Sequence, residues 1–364
     1  MTGRMIAGAA ALTAFLSAGA SSGALRQAPA AGSGGGSIVV EKGDFRFSCD
    51  ARGVSALGNP HDPFKATLMP VDGPRTARPP VLGLTVGYRT DRNGGWVEVA
   101  SRGPEWHFSP DDGSVSYVSG GPDAPVRIVE AFRTDGRVLD WTIALESTTA
   151  TPVEVGDLAV SIPAAGPYGE DPARIFERGF LRHQFVSGAG SFLYFVRASG
   201  APPYLLVTVR PGTKLEYWTG SGRAGGQLFI HSAKSGPAEK RGTWRQAHTA
   251  LEIAAAGRAG SRVEYGFRFR WASSYDELRS MLFDEGLFDV RIVPGMTVPE
   301  DLTVRFSLRT KARIERIEPE HPEATTVREL GAAASGPRVY EAAFRRLGEN
   351  ILTIVHDGGR RTYL

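Results

Sequence analysis

Three groups of polar residues have the types and spacing to support acid–base or hydrogen-bonding chemistry. Gly58-Asn59-Pro60-His61-Asp62-Pro63 places His61 beside Asp62 between two prolines that lock an extended or turn backbone. Asp62 orienting the His61 imidazole would make the pair part of a pocket rim. The same residues also fit a rigid surface loop in which Asn59 and Asp62 bond their own backbone. Glu177-Arg178-Gly179-Phe180-Leu181-Arg182-His183 joins a carboxylate, two arginines and a histidine, a set for sugar hydroxyls or an acidic ligand, or else a salt-bridged strand face. Trp106-His107, Tyr217-Trp218 (preceded by Glu216) and Trp244-Arg245-Gln246-Ala247-His248 interleave aromatics with hydrogen-bonding groups. Aromatic faces cover C–H surfaces while polar groups meet hydroxyls, the logic of mixed pockets; aromatics in strands also fill cores. His61, His183, Glu216 and His248 are therefore the candidate acid–base groups. Asp62, Trp106, Glu177, Arg178, Tyr217, Trp218, Trp244 and Arg245 are the candidate ligand contacts.

Several other chemistries lack their signatures. Outside the N-terminal stretch, where Gly19-Ala20-Ser21-Ser22-Gly23 falls among the small residues of the export signal, the sequence has no Gly-x-Ser-x-Gly; it has no His-Glu-x-x-His, no phosphate-binding glycine loop and no paired-cysteine metal site, so neither cofactor nor metal is expected. Carboxylates such as Glu130, Glu146, Glu252 and Glu264 are plentiful. A glycosidase pair, however, is set by the fold at roughly 5–9.5 Å, which spacing along strands does not identify. Cys49 is the sole cysteine, so no intramolecular disulfide forms and stability must come from a large buried core. Arginines are numerous but scattered, the formal net charge is +3, and no basic run points to nucleic acid.

The elements that must position these groups are strands. Leu139, Trp141, Ile143 and Leu145 alternate with polar or small residues, as do Val263, Tyr265, Phe267, Phe269 and Trp271, and Leu302, Val304, Phe306 and Leu308. Period-two alternation marks antiparallel sheet with one buried face. Runs at 81–88, 114–118, 126–133, 153–162, 191–197, 204–210 and 226–231 read the same way between turn-forming clusters. Ser274 to Gly286 differs. Ser274 and Glu277 form a capping box, Tyr275, Leu278, Met281 and Leu282 share a helical face, and Gly286 can close the helix. After it, short strands and the hairpin dipeptide Asp357-Gly358 predict an immunoglobulin-like sandwich.

The N-terminus reads as an export signal: Arg4, an apolar stretch from Met5 to Ala20, then small residues offering cleavage after Ala20 or Ala24. The apolar stretch is shorter than a spanning helix, so no membrane association is expected after cleavage, and the product is secreted or periplasmic. The organisation expected is a signal peptide at 1–24, a flexible linker at 25–37, a β-supersandwich at 38–273, a connecting helix at 274–287 and an immunoglobulin-like β-domain at 288–364.

Several strings carry a family resemblance. They are Gly58 to Pro63, Glu177 to Phe195, Gly212-Thr213-Lys214-Leu215-Glu216-Tyr217, Arg241 to His248, Leu347-Gly348-Glu349-Asn350 and Arg361-Thr362-Tyr363-Leu364. Together, over about residues 38 to 364, they resemble the N-terminal half of a family of large secreted glycosidase-like proteins catalogued as a domain of unknown function. That resemblance implies an all-β chain, a galactose-mutarotase-like supersandwich followed by the small immunoglobulin-like domain. In such proteins an α/α-toroid with the acid and base follows; this sequence has no helical repeat, so a toroid encoded downstream is an expected partner, with carbohydrate as ligand. Three readings follow: a non-catalytic sandwich that supports a toroid or binds glycan; a sandwich that is itself an epimerase, lyase or hydrolase using histidine and carboxylate; or an exported protein-binding scaffold.

Overall fold

The computed structural model describes residues 37–364 except 52, 69–81, 101–106, 112, 122, 165–170, 220–225, 237–246 and 333–335, with residues 107–111 as backbone only. The expected signal peptide and nearly all of the expected linker lie outside the described residues. Residues 35–364 form one compact unit.

Alternating strands assemble into two facing layers. One is an eight-stranded antiparallel sheet. Its order is β11 (Phe180–Phe185), β12 (Phe192–Arg197), β13 (Tyr204–Val209), β17 (Arg262–Ala272), β9 (Val138–Ser147), β8 (Val126–Thr134), β7 (Ser114–Ser119) and β6 (His107–Asp111). The other has six strands: β14 (Tyr217–Thr219), β15 (Gln227–Ser232), β10 (Val153–Ser161), β4 (Gly83–Arg89) and β5 (Val97–Ala100), with β16 (Leu251–Ile253) also beside β10. A three-stranded sheet, β1 (Ile38–Lys42), β2 (Phe45–Asp50) and β3 (Gly53–Gly58), adds Phe45, Phe47 and Leu57 to the shared core. Cys49 is buried there and free, as a small hydrophobe would be.

The core rests on register. Phe132 pairs with Trp141 and Trp141 with Phe267, so the three inward-facing aromatics line up across β8, β9 and β17. Phe132 and Trp141 stack at 5.3 Å, and Trp141 meets Phe267 at 5.5 Å. β13 departs from strict alternation because both its faces are covered. Leu205 and Val207 enter the core, while Leu206 packs outward under α2 (Tyr275–Asp284) with Leu278 and Leu282. That helix starts as expected, with the Ser274 side chain accepting from the Glu277 amide at 3.1 Å. A further short helix, α1 (Pro172–Arg178), was not anticipated; it is capped by Asp171 with proline in its first turn.

Beyond α2, β18 (Asp289–Val293), β19 (Val304–Arg309), β22 (Arg338–Phe344) and β21 (Thr325–Ala332) form one sheet. The facing sheet is β20 (Ile314–Pro319), β23 (Leu352–His356) and β24 (Arg360–Tyr363). First-second-fifth-fourth against third-sixth-seventh is the constant-type immunoglobulin order, and Phe306, Tyr340 and Ile354 lie in its separate core. The chain is thus all-β, a large antiparallel supersandwich followed by a small immunoglobulin-like sandwich. No helix of the described residues is long and apolar enough to cross a membrane.

One core position tests the energetics. Glu130 occupies an inward slot of β8, its carboxyl accepting from Trp141 Nε1 at 3.2 Å, and burial pushes its pKa up to about 8. The unfolded chain releases this proton near pH 4.5 whereas the folded chain keeps it, so stability falls as pH rises from about 4.5 to about 8. At 1.36 kcal/mol per pH unit the loss is roughly 4–5 kcal/mol. Glu130→Gln should therefore unfold at a higher temperature than wild type at pH 8.5 and differ little at pH 4.5; equal melting curves at both values would refute the assignment.

Candidate functional site

The structure separates the three groups of candidate residues. Asp62 is buried and does not orient His61. Its Oδ1 accepts from Arg197 Nη2 at 2.7 Å and the Phe64 amide at 3.2 Å, and its Oδ2 from the Ala66 amide at 2.9 Å. The Arg197 guanidinium is fully buried, 4.7 Å from the Phe64 ring and 5.0 Å from that of Phe180. His61 instead points to solvent, 3.8 Å from Asp44. The rigid-loop alternative describes this turn.

Glu177 and Arg178 are exposed on α1, whereas His183 lies on β11, so the second group is split between two elements. His183 stacks on its cross-strand partner Tyr194 at 4.6 Å, beside α2, and burial lowers its pKa. Trp106, Trp244 and Arg245 lie outside the described residues.

The third group does converge. Glu216 enters β14, and its carboxylate accepts hydrogen bonds from Ser232 Oγ (3.1 Å), the Thr249 amide (2.9 Å) and Thr249 Oγ1. His248 Nδ1 lies 2.8 Å from Ser232 Oγ, and the imidazole meets the Tyr217 ring edge-on at 5.4 Å. Trp218 points to the opposite face, packed against the main core. His231, Ser232, Thr249 and Tyr265 belong to this cluster but were not singled out from sequence. The available signal was the pair of similar tripeptides His231-Ser232-Ala233 and His248-Thr249-Ala250, each a histidine, a hydroxyl residue and an alanine.

With Glu216 ionised, valence fixes the proton positions. Thr249 has one hydroxyl proton and gives it to the carboxylate, so it accepts from His231 Nδ1–H at 3.0 Å. His231 Nε2 then accepts from the Tyr265 hydroxyl at 2.7 Å. Burial pushes His231 down to about 4, keeping it neutral near pH 7. Burial also raises Glu216, and lifts Tyr265 to about 12. The result is a directed relay, Tyr265 to His231 to Thr249 to Glu216, crossing from the eight-stranded to the six-stranded layer. It can pass a proton, and it also fastens the 247–249 segment to the sheet. Ser232 is no nucleophile. It is 0% exposed and its proton is committed to Glu216, so no substrate carbon can reach it. Among the described residues, no cluster of three or more histidine, cysteine or acidic groups could hold a metal ion.

Asp62→Ala strands a buried guanidinium and should cost about 3–5 kcal/mol, read as a lower urea midpoint. An unchanged midpoint would show that Asp62 does not hold the loop.

Residues 84–363 match the family of unknown function DUF5695. No curated protein sequence matches the chain. Among solved structures the chain is similar to a polysaccharide lyase, with 15% identity and a TM-score of 0.60 over 90% of this chain and 45% of the lyase. At that identity the likeness is one of fold, and this chain spans less than half of the lyase's length. A putative aldose 1-epimerase from Escherichia coli K12 is a looser likeness, at 12% identity and a TM-score of 0.41 over 66% of this chain and 100% of that one. A protein of Synechocystis sp. PCC 6803 is similar at 12% identity and 0.42, over 66% and 97%. On the strength of the match over 84–363, the chain belongs to the DUF5695 family.

Proposed function

We propose that this chain is the non-catalytic β-sandwich portion of a secreted polysaccharide-degrading protein, binding glycan and supporting an α/α-toroid that carries the acid and base. The observation that carries this reading is the shared fold: 90% of the chain follows 45% of a polysaccharide lyase. The condition of the candidate acid–base groups supports it. Glu216 is held by three hydrogen bonds, His183 is stacked on Tyr194, and His61 stands in solvent beside Asp44. The apolar surface supports it as well. An apolar groove of about 460 Å³ lies between the two sandwiches, lined by Phe185, Trp218 and Val298 and rimmed by Met296 and Leu347, 85% and 75% exposed. Exposed apolar surface of this kind marks an interaction site, and a toroid packed there would cover it.

A second reading has one observation in its favour, the Tyr265–His231–Thr249–Glu216 relay, which could serve an epimerase, lyase or hydrolase working from the sandwich itself.

Affinity electrophoresis of the chain through gels containing soluble polysaccharides separates these readings when paired with assays for new reducing ends and for epimerised sugar. Retardation without product is expected. Product formation that disappears in Glu216→Gln and His231→Gln would transfer the assignment to the catalytic reading, and absence of both retardation and product would remove glycan from the account.

A further inference from the structure

We propose that the cleft between the Arg210–Lys214 turn and the last hairpin binds the acidic groups, carboxylate or sulfate, of a glycan chain. The glycan part of this proposal rests on the carbohydrate reading above; the anion part rests on the cleft alone.

The cleft encloses about 630 Å³ and lies where β13, β17, the end of α2 and β24 meet. Its size is within the range of about 300–1,000 Å³ typical of ligand sites. Arg210, Lys214, Arg268, Arg360 and Arg361 line it, against one carboxylate, Glu285. The whole chain carries a formal charge of only +3, so this is a local concentration of charge and not a general basicity. Glu285 is already matched by Arg270 at 2.7 Å. Arg268 shares Asp140 at 3.1 Å and Arg361 approaches Glu318 at 3.7 Å. Among the described residues, Arg210 and Lys214 make no ion pair, and Arg360 makes none within 4 Å, although its charge is felt by Asp357 of the same hairpin. Like charges facing one cavity repel unless an anion joins them, and guanidinium forks suit planar, bidentate acceptors such as carboxylate.

Both walls are built before any ligand arrives. Arg210-Pro211-Gly212-Thr213 forms a turn closed by the Thr213 amide donating to the Arg210 carbonyl at 2.9 Å, with Gly212 at φ +89°. Proline then glycine with positive φ is the type II arrangement. Both ends of the turn are tied to Gly266 of β17. The Arg210 amide donates to the Gly266 carbonyl, and the Gly266 amide to Thr213 Oγ1, each at 2.9 Å. On the opposite wall, Ser187 Oγ donates to the Tyr363 carbonyl at 2.8 Å and accepts from the Tyr363 amide at 2.7 Å. Cations on fixed backbone lose less freedom on binding than cations on a mobile loop. Tyr363 is the only aromatic lining the cleft among the described residues, so it offers no stacking platform of the kind single-stranded nucleic acid requires.

The test uses the full chain and matched pairs of probes: polygalacturonate against its fully methyl-esterified form, and dextran sulfate against dextran. Poly-γ-glutamate and single-stranded DNA serve as polyanions without the glycan chemistry. The variant is Arg210→Gln/Lys214→Gln/Arg360→Gln, with Lys214→Glu as a single-site check if the triple variant melts early. One acidic glycan should bind at least roughly tenfold more tightly than its neutral partner and lose a similar factor in the triple variant, more weakly still as salt is raised. Which acidic glycan binds tells carboxylate from sulfate. Equal binding of charged and neutral glycans by wild type and variant would overturn the cleft while leaving the carbohydrate reading in place. Polyglutamate or DNA bound as tightly as either glycan, and lost in the variant, would overturn the glycan assignment. No binding of any probe would overturn both.

Discussion

The relation between the two sandwiches depends on a small piece of buried backbone chemistry. Ser187 is 0% exposed, and its hydroxyl both donates to and accepts from the Tyr363 main chain, so the last strand is joined to a loop of the supersandwich. Leaving such a buried group unpaired costs about 1–3 kcal/mol. A second contact enforces the same docking. A Cβ added at Gly190 would lie 2.6 Å from Thr362 Oγ1, so only glycine admits β24 this closely. Tyr363 then borders the basic cleft on one side and the apolar groove on the other. Both surfaces assigned a role here exist because this strand sits where it does.

Burial sorts the charged residues into two classes. Asp62 and Arg197, 135 residues apart, neutralise each other inside the fold, where either alone would be costly. Glu130 is buried with no cation beside it among the described residues and answers by holding its proton. Glu216 and His231 are drawn into a relay whose hydrogen bonds also hold a loop. The cations of the cleft behave differently. Arg210 and Lys214 sit on a turn held by backbone hydrogen bonds, so the side chains contribute nothing to holding it and remain available. Rigid support beneath unpartnered charge separates a recognition surface from a structural ion pair.

What was legible in the sequence was local. Alternation at Leu139 to Leu145 and Val263 to Trp271 named the buried faces of β9 and β17, and Ser274 with Glu277 named the start of α2. The short α1 was missed because seven residues carry little helical periodicity, although Asp171-Pro172 and Gly179 punctuate it. Partners across the fold were not legible, because alternation reports a side chain's face and not the strand it meets. The bulge between Leu158 and Ala159 shifts the register of β10 against β15 and sets Ser232 opposite Asp157, a displacement with no local signature. Hence Glu216 and His248 could be named as candidates, while the convergence of Ser232, His231 and Tyr265 on them could not. The basic cleft was invisible for the same reason. Its cations come from positions 210 to 361, and only the docking of β24 converts scattered arginines into one surface.

Hydrogen–deuterium exchange with and without a saturating acidic glycan, taking whichever of polygalacturonate and dextran sulfate binds more tightly, locates the site directly. The account predicts slowed exchange in two separated stretches, the turn at 210–215 and the hairpin at 357–363, which share a surface only in the cleft. Protection confined to Glu216, His231 and the 247–250 segment would contradict it and place glycan on the relay instead.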